Sequence, residues 1–335
     1  MRTVLVTGGA GFLGSHLVDQ LLEDGAAVRV LDNLSTGSLA NLQSAAERHA
    51  RVGGVLNGSR LEVIIGDIRD RELLRKALRG VKCVFHMAAL PLSSVSAMDP
   101  GEIHAVNVEG TLNVLHGALT EGVWRVVLAS CASVYGTPTA VPVSESAPSQ
   151  PATLFAASKA AAESYCRAFH VRHQLDAVIL RYFSVYGPRQ KSGPAGALIP
   201  NLIEAVRQRR ALAELDDRSG EDFTYVDDAV AATLAAARGP RAAGRVINVG
   251  SGQLATLRDV LTILGDLLRT QGMPVFSPRP DGQPYHIAAE LSLASELLDY
   301  SPRVSLIAGL ARMLRSMSGI DQPEPRALAR VGLDD

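Results

Sequence analysis

The chain has 335 residues, 47% of them hydrophobic, which is apolar material enough for one large α/β unit and a smaller lobe. With 33 Lys+Arg against 34 Asp+Glu the formal net charge is −1, so no basic patch is expected to meet nucleic-acid phosphate or an anionic membrane surface. The three cysteines, Cys83, Cys131 and Cys166, fit neither a disulfide framework nor a zinc signature, so no metal is expected and a reducing cytoplasm is.

In chain order, the first apolar run, Thr3 to Val6, is interrupted by glycines before it reaches the length of a signal-peptide core or a membrane span. Short apolar runs then alternate with helical periodicity: a helix over Leu13 to Glu23, a strand over Ala27 to Leu31, a glycine- and charge-bearing insertion over Arg48 to Ser59, a strand over Leu61 to Ile65 and a helix over Arg71 to Leu78. The rhythm continues with a strand over Cys83 to His86, a helix from about Glu102 to Leu119, a strand over Val126 to Ala129, a helix from about Phe155 to Arg172 and a strand over Ala177 to Leu180. Such βαβ repetition predicts a doubly wound parallel sheet of the Rossmann type. Beyond Arg181 the chain breaks into Pro/Gly-rich stretches, and a smaller C-terminal α/β substrate lobe is expected there. The expected division is residues 1–181 for the nucleotide-binding part and mainly 182–335 for the lobe. Phe223 to Val226 and Val246 to Val249 are expected to return toward the sheet.

Thr7-Gly8-Gly9-Ala10-Gly11-Phe12-Leu13-Gly14 stands between the first strand and the first helix. Glycines in that position let backbone turn tightly against a pyrophosphate, whose charge sits at the helix N-terminus. Asp32 ends the second strand, where a carboxylate accepts from the ribose hydroxyls of NAD and repels the extra phosphate of NADP. The combination points to NAD.

Further motifs follow in order: Asp32-Asn33-Leu34-Ser35-Thr36-Gly37, Gly66-Asp67-Ile68, His86-Met87-Ala88-Ala89, Asn107-Val108-Glu109-Gly110-Thr111, Ser133-Val134-Tyr135-Gly136, Ser158-Lys159, Arg181-Tyr182-Phe183, Tyr186-Gly187-Pro188 and Asp222-Phe223-Thr224-Tyr225-Val226-Asp227-Asp228. From Thr3 to about Leu298 the chain resembles the extended short-chain dehydrogenases that act as sugar-nucleotide epimerases and dehydratases. The resemblance implies a cofactor site drawn from Gly8, Gly11, Phe12, Leu13, Gly14, Asp32, Asn33, Ser35, Thr36 and Gly37. It adds Asp67 and Ile68 at the adenine, Met87, Ala88 and Ala89 along the cofactor, and Asn107, Ser130, Tyr182 and Val185 nearby. Lys159 is implied at the nicotinamide ribose. It also implies a homodimer through the helices near 102–119 and 155–172, the second carrying Ala156, Ala157, Ala160, Ala161 and Ala162. His86, set among apolar neighbours, reads as core and receives no chemistry.

The resemblance implies catalysis by a tyrosine four residues before the lysine, one helical turn away on the same face. Here that residue is Phe155, whose ring accepts no proton. A deliberate tyrosine-to-phenylalanine knockout, a natural enzyme with another base, and an NAD-binding protein without turnover all fit. The family's second hydroxyl position is Cys131. A thiol has a reference pKa of about 8.5, and near Lys159 and an oxidised nicotinamide its thiolate is favoured, which makes Cys131 a candidate base; an inert small residue at a strand end is the equal alternative.

Dehydratase and decarboxylase relatives carry acidic residues at the positions of Ala132 and Ser133, so elimination is disfavoured and 4-epimerisation of a UDP- or dTDP-hexose is expected, with Ser133 facing the substrate. The remaining substrate positions by resemblance are Ser184, Leu198, Arg218 and Arg279. Of the three positions that bind the diphosphate in the family, an asparagine is replaced by Ser184 and an arginine by Glu221, with only Arg279 kept. A carboxylate repels a diphosphate unless Arg218, Arg189 or Lys191 intervenes, so either Glu221 turns to solvent while Arg218 takes over, or the substrate is a nucleoside, a nucleoside monophosphate or another less phosphorylated molecule.

Overall fold

The computed structural model describes residues 3–45, 60–90, 99–193, 196–209, 216–270 and 285–318. Seven parallel strands form one sheet in the order β10-β6-β5-β4-β1-β2-β3: β1 Thr3–Thr7, β2 Ala27–Asp32, β3 Leu61–Ile65, β4 Val81–His86, β5 Arg125–Cys131, β6 Asp176–Tyr182 and β10 Val246–Val249. The order reverses between β1 and β4, and a doubly wound sheet opens its ligand crevice at that switch point.

Helices cover both faces: α1 Phe12–Glu23, α2 Arg71–Leu78, α3 Pro100–His104, α4 Gly110–Thr120 and α5 Leu154–His173. α3 and α4 are joined by a π turn over Ala105–Glu109, so the single helix expected from about Glu102 to Leu119 carries a widened turn at Asn107. Buried Arg125 ties β5 to the far end of the fold, donating to Asp176 and to the carbonyls of Ala236, Ala237 and Gly239. The first two carbonyls belong to the last turn of α7 Val226–Arg238, where intrahelical donors run out, and Gly239 follows it.

The C-terminal part adds β7 Ser184–Tyr186, α6 Leu198–Gln208, β8 Gly220–Glu221, β9 Phe223–Tyr225, β11 Ala255–Thr256, α8 Leu257–Leu268, β12 His286–Ile287, α9 Ser292–Leu298 and α10 Leu306–Ser318. Val246–Val249 joins the main sheet as expected, pairing with β6. Phe223–Tyr225 does not: it pairs with β7 in a separate two-stranded sheet. Periodicity identifies a strand but not its partner, and here β10 already occupies the edge of β6. One apolar cluster runs from Val4, Leu17 and Leu21 to Leu202, Leu261 and Met313, so the glycine-loop helix and the C-terminal helices share a core. The Arg48–Ser59 insertion lies outside the described residues.

Candidate functional site

A cleft of about 480 Å³ opens at the switch point. Its floor is the loop between β1 and α1. Gly8 stands at φ +69°, and a Cβ there would come within 2.7 Å of the Ala88 nitrogen. At Gly14 a Cβ would meet the Gly8 carbonyl oxygen at 2.2 Å, so the glycines are what bring helix, loop and β4 together. α1 has no side-chain cap at Gly11 and no acidic residue in its first turn, which leaves its first amides for an anionic ligand.

Asp32 is nearly buried. Its carboxylate accepts from the Ala10 amide at 2.9 Å and the Leu34 amide at 2.8 Å, so it braces the glycine loop while each oxygen keeps a lone pair for a ligand hydroxyl. Asn33, Ser35 and Thr36 line the cleft beside it. Gly37 does not, being packed beneath Asp32 and Ala10. At the far end Asp67 accepts from Asn33 and from the backbone amide, Nε and Nη2 of Arg69, whose guanidinium also holds Glu102 through Nη1. That guanidinium keeps the Asp67 carboxyl well below the usual range, at about 2. Ile68, Met87, Ala88 and Ala89 complete this wall.

Behind it runs a directed chain of hydrogen bonds. Thr111 donates to the Asn107 carbonyl at 2.6 Å, so the 3.0 Å contact from His86 Nε2 is a donation to Thr111 and Nδ1 is left to accept from Thr7 at 2.7 Å. Thr7 in turn accepts from the Ala88 amide. Burial drives the His86 imidazole down to about 3, so it stays neutral and structural.

Several expected cofactor residues lie off the cleft wall. The Asn107 side chain is committed to the Leu90 backbone and to Ser158, Ser130 donates to Glu163 at 2.6 Å, and the Tyr182 hydroxyl meets Thr233 at 2.6 Å in the core. Val185 packs sideways against the main core. Conversely, sequence reasoning missed Leu90, Val106, Ala129, Arg189, Gln190 and Lys191 as wall residues. The glycine of the Tyr-Gly-Pro run marked only a turn there.

Lys159 is buried on α5, and burial lowers its ammonium while Cys131 and Glu163 pull it back. One turn earlier, Phe155 packs against Leu90, Ile103 and Val106. Cys131 Sγ lies 2.7 Å from Ser133 Oγ. Burial pushes the Cys131 thiol up, against the opposing pull of Ser133 and Lys159. A resting thiolate, the form a ready base would take, is therefore not what the protein alone favours.

The two altered diphosphate positions come together: Ser184 on β7 donates to the Glu221 carboxylate on β8. Glu221 is half-buried and held by Ser184 rather than turned wholly to solvent, and burial raises its carboxyl. The Arg218 guanidinium folds back on Asp216 with bonds of 2.9 and 2.7 Å. Leu198 begins α6, and Arg279 lies outside the described residues. Among the described residues no metal-ligating cluster occurs, and no helix is long and apolar enough to cross a membrane.

Residues 4–250 match the NAD dependent epimerase/dehydratase family. The UDP-glucose 4-epimerase of Mycolicibacterium smegmatis is 36% identical over 93% of this chain and 97% of its own. A dTDP-glucose 4,6-dehydratase from Streptomyces venezuelae, solved with NAD bound, is 33% identical at a TM-score of 0.83, covering 95% of this chain and 97% of its own. A tyrosine-to-phenylalanine mutant of UDP-glucuronic acid 4-epimerase from Bacillus cereus, solved with a fluorinated UDP-sugar and NAD, is 30% identical at 0.84, covering 95% and 99%. The glycine floor, the uncapped helix start and Asp32 fit NAD as the cofactor, and the chain belongs to the NAD-dependent epimerase/dehydratase family.

Proposed function

We propose that the protein epimerises a nucleotide sugar at C4, on a UDP- or dTDP-hexose. The observation that carries the reading is the turn after β5, the strand whose Ala129 lines the cleft: Cys131-Ala132-Ser133 offers a thiol and a hydroxyl but no carboxylate. Elimination or decarboxylation needs an acid there. Epimerisation does not, and relatives named as 4-epimerases support it.

Bound NAD supplies a hydride acceptor and, once reduced, a donor to the opposite face of the same carbon. Gly8 to Gly14 would hold its diphosphate, Asp32 its adenosine ribose, and Lys159 its nicotinamide ribose. In this reading Cys131 takes the C4 hydroxyl proton and later returns it, Ser133 aligns the hydroxyl, and the Lys159 ammonium favours the transient thiolate. The raised thiol keeps the thiolate fraction small at neutral pH, so turnover is slow there and climbs in base.

We also propose a cytoplasmic homodimer. Cys83, Cys131 and Cys166 are free thiols, and α5 leaves Leu154, Tyr165 and Val171 exposed. Ala156 and Ala162 are buried within their own chain, so any contact uses the outer face of that helix. Incubating the protein with UDP-glucose, UDP-galactose and their dTDP counterparts and following the sugar signals by NMR tests the activity. Interconversion of the C4 epimers is expected. Accumulation of a dehydrated keto-sugar, or no change in any of them, would overturn the reading.

A further inference from the structure

Part of the cleft wall is a single segment running from Gly187 to Gly193, of which Arg189, Gln190 and Lys191 line the cleft. Its base is fastened to the outer side of α1, the same helix whose first amides face the ligand. His16 Nε2 donates to the Pro188 carbonyl at 3.0 Å. Arg189, held at φ +70° in the left-handed region, donates to Ser15 at 3.0 Å and to Asp19 at 2.6 Å. Gln190 folds back on the segment itself, donating to the Val185 carbonyl at 2.9 Å.

Beyond this base the segment reaches the loop that follows β2. Lys191 Nζ donates to the Thr36 carbonyl at 2.8 Å, bridging 155 positions in sequence. Thr36 and Lys191 both line the cleft, so the bond between them joins two parts of its wall. The bond is charge-assisted, and the exposed lysine stem can release it without disturbing any buried group.

We propose that Lys191 is a latch that retains NAD: its ammonium ties the 187–193 segment to the Thr36 carbonyl over the bound dinucleotide, and the Arg189 anchor on α1 holds the latch in register. The inference rests on NAD being the cofactor and is independent of the sugar chemistry. An opening of this kind controls escape more than entry, so the latch acts on the dissociation rate.

The test is NADH release from the loaded full-length protein, followed as loss of bound-NADH fluorescence after a chase with excess NAD. Lys191→Ala is expected to speed release about tenfold, the order set by losing one hydrogen bond to a charged group. Lys191→Arg, which keeps a donor, is expected to stay near the parent rate, and Arg189→Ala to speed release by a smaller factor. Thermal melting of the cofactor-free Lys191→Ala protein should not move. A release rate within twofold of the parent for Lys191→Ala overturns the latch. So does a slower association rate with unchanged release, which marks simple attraction to the diphosphate. Lys76→Ala, at an exposed lysine paired with Glu72, is the control for net charge; an equal effect there also overturns the latch.

Discussion

Cys131 Sγ and Ser133 Oγ stand 2.7 Å apart at the end of β5, a hydrogen bond in which either group can donate, in the turn where the proposed chemistry occurs. Burial raises the Cys131 thiol, and only below its titration is the group fully protonated. If it must lose that proton to act, kcat/KM rises with pH through the neutral and mildly basic range with a slope of one on logarithmic axes. Cys131→Ala should remove the rise and lower turnover by about 10²–10⁴, the usual contribution of a placed acid–base group. A flat profile together with unchanged activity in Cys131→Ala would exclude the thiol.

Phe155 supplies the opposing case. Its ring packs against Leu90, Ile103 and Val106 and brings no proton acceptor to the lysine one turn on. With Cys131 in the acceptor role, Phe155→Tyr is expected to change turnover by no more than a few-fold. A gain of about 10²–10⁴ would instead identify a chain disabled at that position and restored by the phenol. Steady-state rates on the UDP- and dTDP-hexoses separate the two outcomes.

Glu163 and Arg181 carry the stability of the same region. Glu163 is buried, accepts two bonds from buried Arg181 at 2.9 and 2.7 Å and one from Ser130, and lies one turn beyond Lys159 on α5. Glu163→Ala leaves the Arg181 charge buried without its partner, and breaking such a pair costs about 3–5 kcal/mol. Denaturant unfolding should show a loss of that size. A loss under about 1 kcal/mol would mean that the charge is compensated elsewhere, for instance by the Tyr135 ring 4.6 Å from the guanidinium carbon.

Asp32 has two duties, and they predict two losses. NAD should bind far more tightly than NADP, because a ribose phosphate would meet a carboxylate already held by the Ala10 and Leu34 amides. Asp32→Asn should narrow that preference and also loosen the glycine loop it braces. Titration of both cofactors against both proteins checks this, and equal affinities for the parent would refute it.

What the sequence made legible was local. The strand–glycine–helix junction, Asp32 at the end of β2 and the βαβ rhythm each sit within one span of chain, and the sheet they specify is the sheet observed. Pairings across the chain were not legible. Nothing in Phe223–Tyr225 says that β7 is its partner, and nothing in Ser130 or Tyr182 says that each spends its hydroxyl inside the core. The bond from Lys191 to Thr36 joins two polar loops with no periodic signal in either. The π turn at 105–109, which accompanies the commitment of Asn107 to Leu90, was not legible either, because apolar spacing alone does not distinguish a π turn from an α turn.

Ser184 and Glu221 were singled out in the sequence as separate departures from the family, and the fold joins them by a hydrogen bond. That contact supports a single altered subsite where relatives place a diphosphate. Burial raises the Glu221 carboxyl, so it is neutral at low pH and gains its charge only as pH climbs through that raised value. A neutral carboxyl tolerates a neighbouring phosphate; an ionised one about 8 Å away in a medium of effective dielectric near 20 opposes it by about 2 kcal/mol per phosphate charge. UDP should therefore bind more weakly as pH rises, and Glu221→Gln should tighten UDP binding at pH 8 by at least about tenfold while flattening the pH dependence. Uridine, which lacks the diphosphate, should show neither effect. Calorimetric titration of UDP and uridine at pH 5.5 and 8 distinguishes the cases: equal responses of the two ligands would remove Glu221 from the phosphate subsite, and tight, pH-independent UDP binding by the parent would show that the carboxylate faces away from it.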